Sequence, residues 1–125
     1  RLPFAYGTGP EEAARAGREL ANPLPATEAN LARGKAVYET ICVVCHGPAG
    51  QGDGPVSLHG FPAPPSLLTE RSVRMKDGQL FHILTFGQKN MPGYAAQISR
   101  EDRWKAVRHV RALQKKAPAR PGGAR

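Results

Sequence analysis

Three stretches of this 125-residue chain repeat apolar residues at helical spacing, and polar or Gly/Pro-rich segments divide them. In the first, Gly34, Val37, Tyr38, Ile41 and Cys45 fall on one helical face. Thr27 stands where an N-cap belongs, and Glu28 sits in the first turn, where the helix dipole favours a carboxylate. In the second, Leu80, Phe81, Ile83 and Leu84 fill a helix expected from about Gly78 to Phe86, capped by Asp77 and stopped by Gly87. In the third, Ala106, Val107, Val110 and Leu113 form a stripe, with Trp104 at its edge. Lys105, Arg108, Arg111 and Lys115 share the opposite face, and Ser99-Arg100-Glu101-Asp102 resembles a capping box at the start.

The segments between read differently. Pro3, Gly7, Gly9 and Pro10 keep the beginning irregular, and a short helix is expected from Glu11 to Leu20, ended by Asn22-Pro23-Leu24-Pro25. Two uses fit this extension: wrapping the core or docking a partner. Residues 47–65 hold five Gly and five Pro and read as loop, as does Gly87 to Tyr94. Gly50, Gly52 and Gly54 lack the Lys-Ser/Thr and strand–helix context of a phosphate loop, so the loop is expected to curve around a bound group instead. The domain expectation is an extension over residues 1–26, one domain over 27–117 and a disordered basic tail over 118–125.

The chemistry concentrates in Cys42-Val43-Val44-Cys45-His46, which uses both cysteines of the chain. Cys-x-x-Cys-His is the pattern of covalent c-type haem attachment. The two thiols become thioethers on the haem vinyl groups, and the adjacent imidazole can ligate the iron. A thioredoxin-like dithiol would want a βαβ pattern, and a structural zinc would want four ligands; neither is visible. With 14 Gly, 12 Pro, 4 Phe, 3 Tyr and 1 Trp, the chain would bury a limited core unaided, so an apolar haem plate suits its composition.

A sixth ligand is then needed, and the candidates are Met91, Met75, His59, His82 and His109. Met91 lies in a Gly/Pro loop 45 residues past His46 and is favoured, with His82 the leading alternative. The choice matters because His/Met ligation raises the reduction potential relative to bis-His and leaves no open iron site.

The net charge of +8 is uneven: residues 1–99 carry nine Lys/Arg against eight Asp/Glu, and residues 100–125 nine against two. A basic end can steer an acidic partner or rest on anionic lipid; a solvated helix face with a basic tail is the plainer account. No nucleic-acid recognition motif accompanies the charge, and no run of about 20 apolar residues is present to span a membrane. The chain begins at Arg1 rather than Met and reads as processed or trimmed, with no signal peptide visible.

The order of helix, Cys42-to-His46 motif, Pro-rich loop, helix, Met91-Pro92 loop and Trp-bearing last helix resembles a class I monohaem cytochrome c over about residues 28–117. The resemblance implies an all-α fold, about four to five helices around one covalent haem c, with crossed terminal helices. By that analogy Gly34 and Tyr38 would meet the last helix near Val110 and His109. Pro65, with Pro64 close behind, would offer a carbonyl to the axial His46, and Tyr94 and Trp104 would lie near the propionates. A narrower resemblance, carried by Gly52-Asp53-Gly54, Pro64-Pro65-Ser66-Leu67, Asp77 to His82, Met91 to Ile98 and Glu101 to Trp104, is to the monohaem cytochrome subunits of the quinol-oxidising alternative complex III. Oxidase-linked cytochrome c domains look similar.

The expected function is single-electron transfer between respiratory-chain partners, in the periplasm or on the outer face of the bacterial cytoplasmic membrane. Lys105, Arg108 and Arg111 would meet an acidic docking surface on a redox-partner protein, and a membrane-bound respiratory complex is one candidate. The alternatives are a gas sensor or peroxidase-like enzyme whose Met91 dissociates, and a structural subunit with a redox-idle haem.

Overall fold

Proline has no N–H to lose in the first turn of a helix, and α1 (Pro10–Glu19) begins on one in the computed structural model, which describes residues 5–56, 60 and 62–116. α2 (Glu28–Val37) follows, with Thr27 Oγ1 accepting the Asn30 N–H at 3.1 Å as expected of a cap. The helix then widens into a single π-helical turn (Tyr38–Cys42) before α3 (Val43–His46). α4 (Glu70–Arg74) is an additional short helix, capped by Thr69 Oγ1 accepting from the Ser72 N–H. α5 (Asp77–Phe86) runs directly into β1 (Gly87–Gln88), which pairs antiparallel with β2 (Met91–Pro92). α6 (Arg100–Lys116) closes the described chain; the Ser99 hydroxyl accepts the Asp102 N–H at 3.1 Å.

Two close helix contacts organise the packing, and each has a glycine at its centre. Where α2 meets α6, a Cβ on Gly34 would overlap the Lys105 carbonyl. The contact falls beside Lys105 and Ala106, nearer the start of α6 than Val110; the second expected contact, Tyr38 against His109, is made with ring centroids 5.0 Å apart. Where α1 meets α5, a Cβ on Gly78 would overlap the Ala16 carbonyl. The extension therefore lies against the body of the domain, burying Ala13, Ala16 and Gly17. The main core joins Val37, Leu80, Leu84, Ile98, Ala106 and Val107, with Ile41, Met75, Met91 and Tyr94 packed around it. Trp104 stacks on Phe81 at 4.0 Å between centroids.

Three expectations change. Asp77 does not cap α5: Lys76 holds that position without a side-chain bond, and the Asp77 carboxylate instead accepts from Arg111 Nε at 2.8 Å. A charged donor outcompetes a neutral N–H for a carboxylate. Residues 87–92 form a small hairpin rather than loop, with Lys89 at φ 51 in its turn. Two residues of the basic face of α6 bond within the fold while Lys115 stays exposed: Arg108 donates to the Leu24 carbonyl at 2.8 Å, and Arg111 also reaches the Val73 and Met75 carbonyls and Gln114. Those two half-buried arginines help to fasten the fold. The 118–125 tail and His59 lie outside the described residues.

Gly34→Ala separates helix propensity from packing. Alanine gains about 1 kcal/mol in a helix, but its methyl must displace the Lys105 backbone, a cost of about 3 kcal/mol for overpacking. A net loss of about 2 kcal/mol in urea unfolding is expected; a stabilised variant would show that the helices slide apart freely.

The extension carries an acid-sensitive contact. Bonds from Arg15, then from the Gly7 N–H, hold the Glu12 carboxyl down to about 2 from 4.5. A depressed carboxylate contributes fully above its unfolded pKa and loses that contribution as pH falls through the folded one. α1 should thus loosen between about pH 4.5 and 2. Glu12→Gln should show at pH 7 the faster α1 amide exchange, corrected for intrinsic rates, that the native protein reaches only in acid; exchange equal to native at pH 7 would remove Glu12 from this role.

Candidate functional site

Cys42, Cys45 and His46 lie where the widened turn passes into α3. The turn is closed by the Val43 N–H donating to the Tyr38 carbonyl, a five-residue reach. Residues three apart on a helical surface are neighbours, so both thiols face one side. The carbonyls at this short helix's end need donors from elsewhere, and the glycine-rich loop supplies them. The Gly52 N–H donates to the His46 carbonyl at 2.9 Å and the Gly54 N–H to the Cys45 carbonyl at 3.1 Å. Both positions require the absence of a side chain: a Cβ on Gly52 would strike the Pro64 carbonyl, and one on Gly54 the Val44 carbonyl. The loop thus packs on the end of the Cys-x-x-Cys-His turn.

Tyr38 fastens the turn from the other side. It is fully buried, and its hydroxyl donates to the Gly47 carbonyl, next to His46, at 2.5 Å. Burial pushes its phenol well above the ordinary range, so it remains a donor at any ordinary pH.

Burial favours the neutral forms of Cys42 and His46. Burial, then Cys45, pushes the Cys42 thiol up to about 11. A thiol held protonated is a poor dithiol redox centre, which argues against the thioredoxin-like reading. Burial lowers the His46 imidazole below its usual range, favouring the neutral form that can ligate a metal. Burial, then Cys42 and Cys45, raises the Tyr94 phenol above its ordinary range.

His46 Nδ1 is buried without a hydrogen-bond partner. The expected bond to the Pro65 carbonyl is not made here. The prolines act at one remove: the Pro64 carbonyl packs on Gly52, whose N–H holds the His46 carbonyl.

The remaining candidates separate by their contacts. Met91, in β2, packs partly buried against the core that also receives Ile41, Met75 and Tyr94. His82 is 1% exposed, and its Nε2–H donates to the Gly7 carbonyl at 2.7 Å, a contact made by the extension. His109 is half-buried against Tyr38. Trp104 is a core residue on Phe81, with its carbonyl accepting from Asn22. The sequence reading missed Tyr38 as the anchor of the Gly47 carbonyl; its position four residues before Cys42 was the available signal.

The donor set fits a haem. Two unpaired, half-buried thiols stand on one helical turn beside a neutral imidazole with an orphaned nitrogen. A thioether and a phenol pack into the adjoining core. Among the described residues no three His, Cys, Asp or Glu are grouped to hold a bare metal ion.

The family profile described as cytochrome c oxidase, cbb3-type, subunit III matches residues 29–110. A chain of the reducing HAO-like protein complex of Kuenenia stuttgartiensis has a similar structure, with a TM-score of 0.62 and 31% identity. The match covers 73% of this chain and 46% of that one, so this chain spans about half the length of its structural relative. No curated protein gives a significant match.

Tyr38→Phe should keep the ring contact with His109 while leaving the buried Gly47 carbonyl only the longer bond from the Gly50 N–H at 3.2 Å. A loss of about 1 kcal/mol in denaturant unfolding is expected, with a midpoint equal to the native one as the contrary result.

Proposed function

The chain belongs to the cytochrome c oxidase, cbb3-type, subunit III family, c-type cytochromes that transfer electrons through haem, and we propose how its own residues do so. One haem c would be held by thioethers at Cys42 and Cys45, with His46 and Met91 as the residues that would ligate its iron. Bound there, it supplies a one-electron couple. The observation that carries this reading is the pair of thiols outside any disulfide, beside the half-buried His46 with its orphaned Nδ1, adjoining the core in which Met91 packs.

Each residue has a definable task. Cys42 and Cys45 fix position covalently. Tyr38 and the Gly52 and Gly54 N–H groups hold the backbone that presents His46, so little of the chain need rearrange when charge changes. The Met91 thioether favours the reduced state relative to a second imidazole. Tyr94 is the phenol best placed to meet an anionic edge of the group; Trp104 and Pro65 support the site through packing.

The ligand set leaves no open coordination position, which favours outer-sphere transfer over catalysis. His82 and His109, the imidazoles that would serve a sensor or peroxidase, are engaged with Gly7 and Tyr38. The structural relative belongs to a multi-protein complex by its title, which supports a role beside other redox proteins. We place this electron transfer between respiratory-chain partners outside the bacterial cytoplasmic membrane, with electrons passing from a quinol-oxidising complex towards a terminal oxidase. Among the described residues no helix is long and apolar enough to cross a membrane.

The absorption spectrum tests the ligand set. The oxidised protein should show the weak far-red band of ferric Fe–S(Met) ligation, and Met91→Ala should abolish it while the main haem absorption stays covalently attached. A native protein without the band that binds CO at once when reduced would put the sensor or enzyme reading first.

A further inference from the structure

The family match begins at residue 29, yet the segment before it is built into the fold. α1 lies against α5 with carbonyls of Ala16 and Leu20 at Gly78, and Gly17 against Gln79. The start of the segment is itself braced: the Gly7 N–H donates to Glu12 at 2.9 Å, the Arg15 guanidinium lies 4.2 Å from the Tyr6 ring centre, and the Tyr6 hydroxyl donates to Glu19. This bracing holds the Gly7 carbonyl over the buried Nε2–H of His82. A titratable ring with 1% exposure, bonded to a carbonyl 75 residues away, is a specific connection between the segment and α5.

α5 continues without a break into the hairpin that carries Met91. The His82 ring meets the Phe86 ring, the last residue before the hairpin, at 5.0 Å. Downstream, the Tyr94 N–H donates to the Leu84 carbonyl at 2.8 Å, tying the exit of the hairpin to the same helix. A cavity of about 340 Å³ joins all three parts: Pro10 and Ala13 of α1, His82 and Phe86 of α5, and Lys89 and Met91 of the hairpin line it together.

We propose that residues 5–20 are a strap that keeps Met91 in its ligating position, with His82 as the buried latch on which the strap closes; this rests on Met91 being the axial ligand. His82 is a positioning residue and acts through the strap and α5. The strap supplies one wall of the cavity beside Met91. Lifting it would leave the His82 N–H without the Gly7 acceptor and open the Met91 side to water and small ligands. The segment thereby regulates access to the sixth coordination position.

The test uses the full haem-loaded chain with His82→Leu, which removes the donor at similar volume, His82→Gln, which restores one, and Arg15→Gln, which unbraces the segment at the surface. Helicity by circular dichroism, the far-red band, and the rate of CO binding to the reduced protein are read on each. His82→Leu and Arg15→Gln are expected to keep native helicity, weaken the far-red band and bind CO about tenfold faster, the size expected for losing one buried hydrogen bond. His82→Gln should return both readouts towards native. A native band and CO rate in both His82→Leu and Arg15→Gln overturn the strap alone. If His82→Leu does not fold, Arg15→Gln decides by the same criterion. A native protein that lacks the band overturns the Met91 ligation and the strap with it.

Discussion

The structure depends first on how closely two backbones can approach. At Gly34 the missing Cβ lets α2 rest directly on the Lys105 carbonyl of α6. That contact sets the height of the next residues along α2, so Tyr38 reaches His109 on one side and the Gly47 carbonyl on the other. Gly47 follows His46 in the chain. A packing contact between helices is thus transmitted, through one buried phenol, to the imidazole at the centre of the site. The arrangement is stiff because each link is either a close backbone contact or a buried hydrogen bond, and neither tolerates partial loss.

The site is neutral for the same reason that it is positioned well. The elements that fix Cys42 and His46 also remove water from them, and desolvation raises the thiol and lowers the imidazole. A free dithiol enzyme would need the reverse, a stabilised thiolate. The glycine loop contributes without adding charge: it answers the exposed carbonyls of a four-residue helix with main-chain N–H groups from Gly52 and Gly54. A side chain at Gly52 would strike the Pro64 carbonyl and one at Gly54 the Val44 carbonyl, and either would disturb these bonds.

Local chemistry was legible in the sequence where it involves neighbours. Thr27 and Ser99 cap as their positions suggest, and Cys42, Cys45 and His46 share one helical turn as their spacing implies. What could not be read depends on distance or on small departures from regularity. Asp77 looks like a cap until Arg111, 34 residues later, takes its carboxylate. A single π-helical turn shifts the register by one residue and disappears in a 3.6-residue average. Strands of two residues have no alternation to detect. His82 seemed a plausible ligand as an isolated helical histidine, and only the Gly7 carbonyl 75 residues away reveals its other partner.

The basic end of the chain illustrates how contact and field separate. Arg108 and much of Arg111 bind carbonyl oxygens, and Arg103 likewise donates to the Ile98 carbonyl. Charge-assisted bonds of this kind contribute about 1.5–3 kcal/mol, against about 0–1 for a surface ion pair, which explains why they are used to fasten the fold. A carbonyl, however, does not cancel a positive charge; Arg111 meets a carboxylate as well, that of Asp77. The long-range potential of α6 therefore survives although its arginine hands are occupied. Steering an acidic partner requires the potential alone, whereas the bonds of a docked complex require accessible donors.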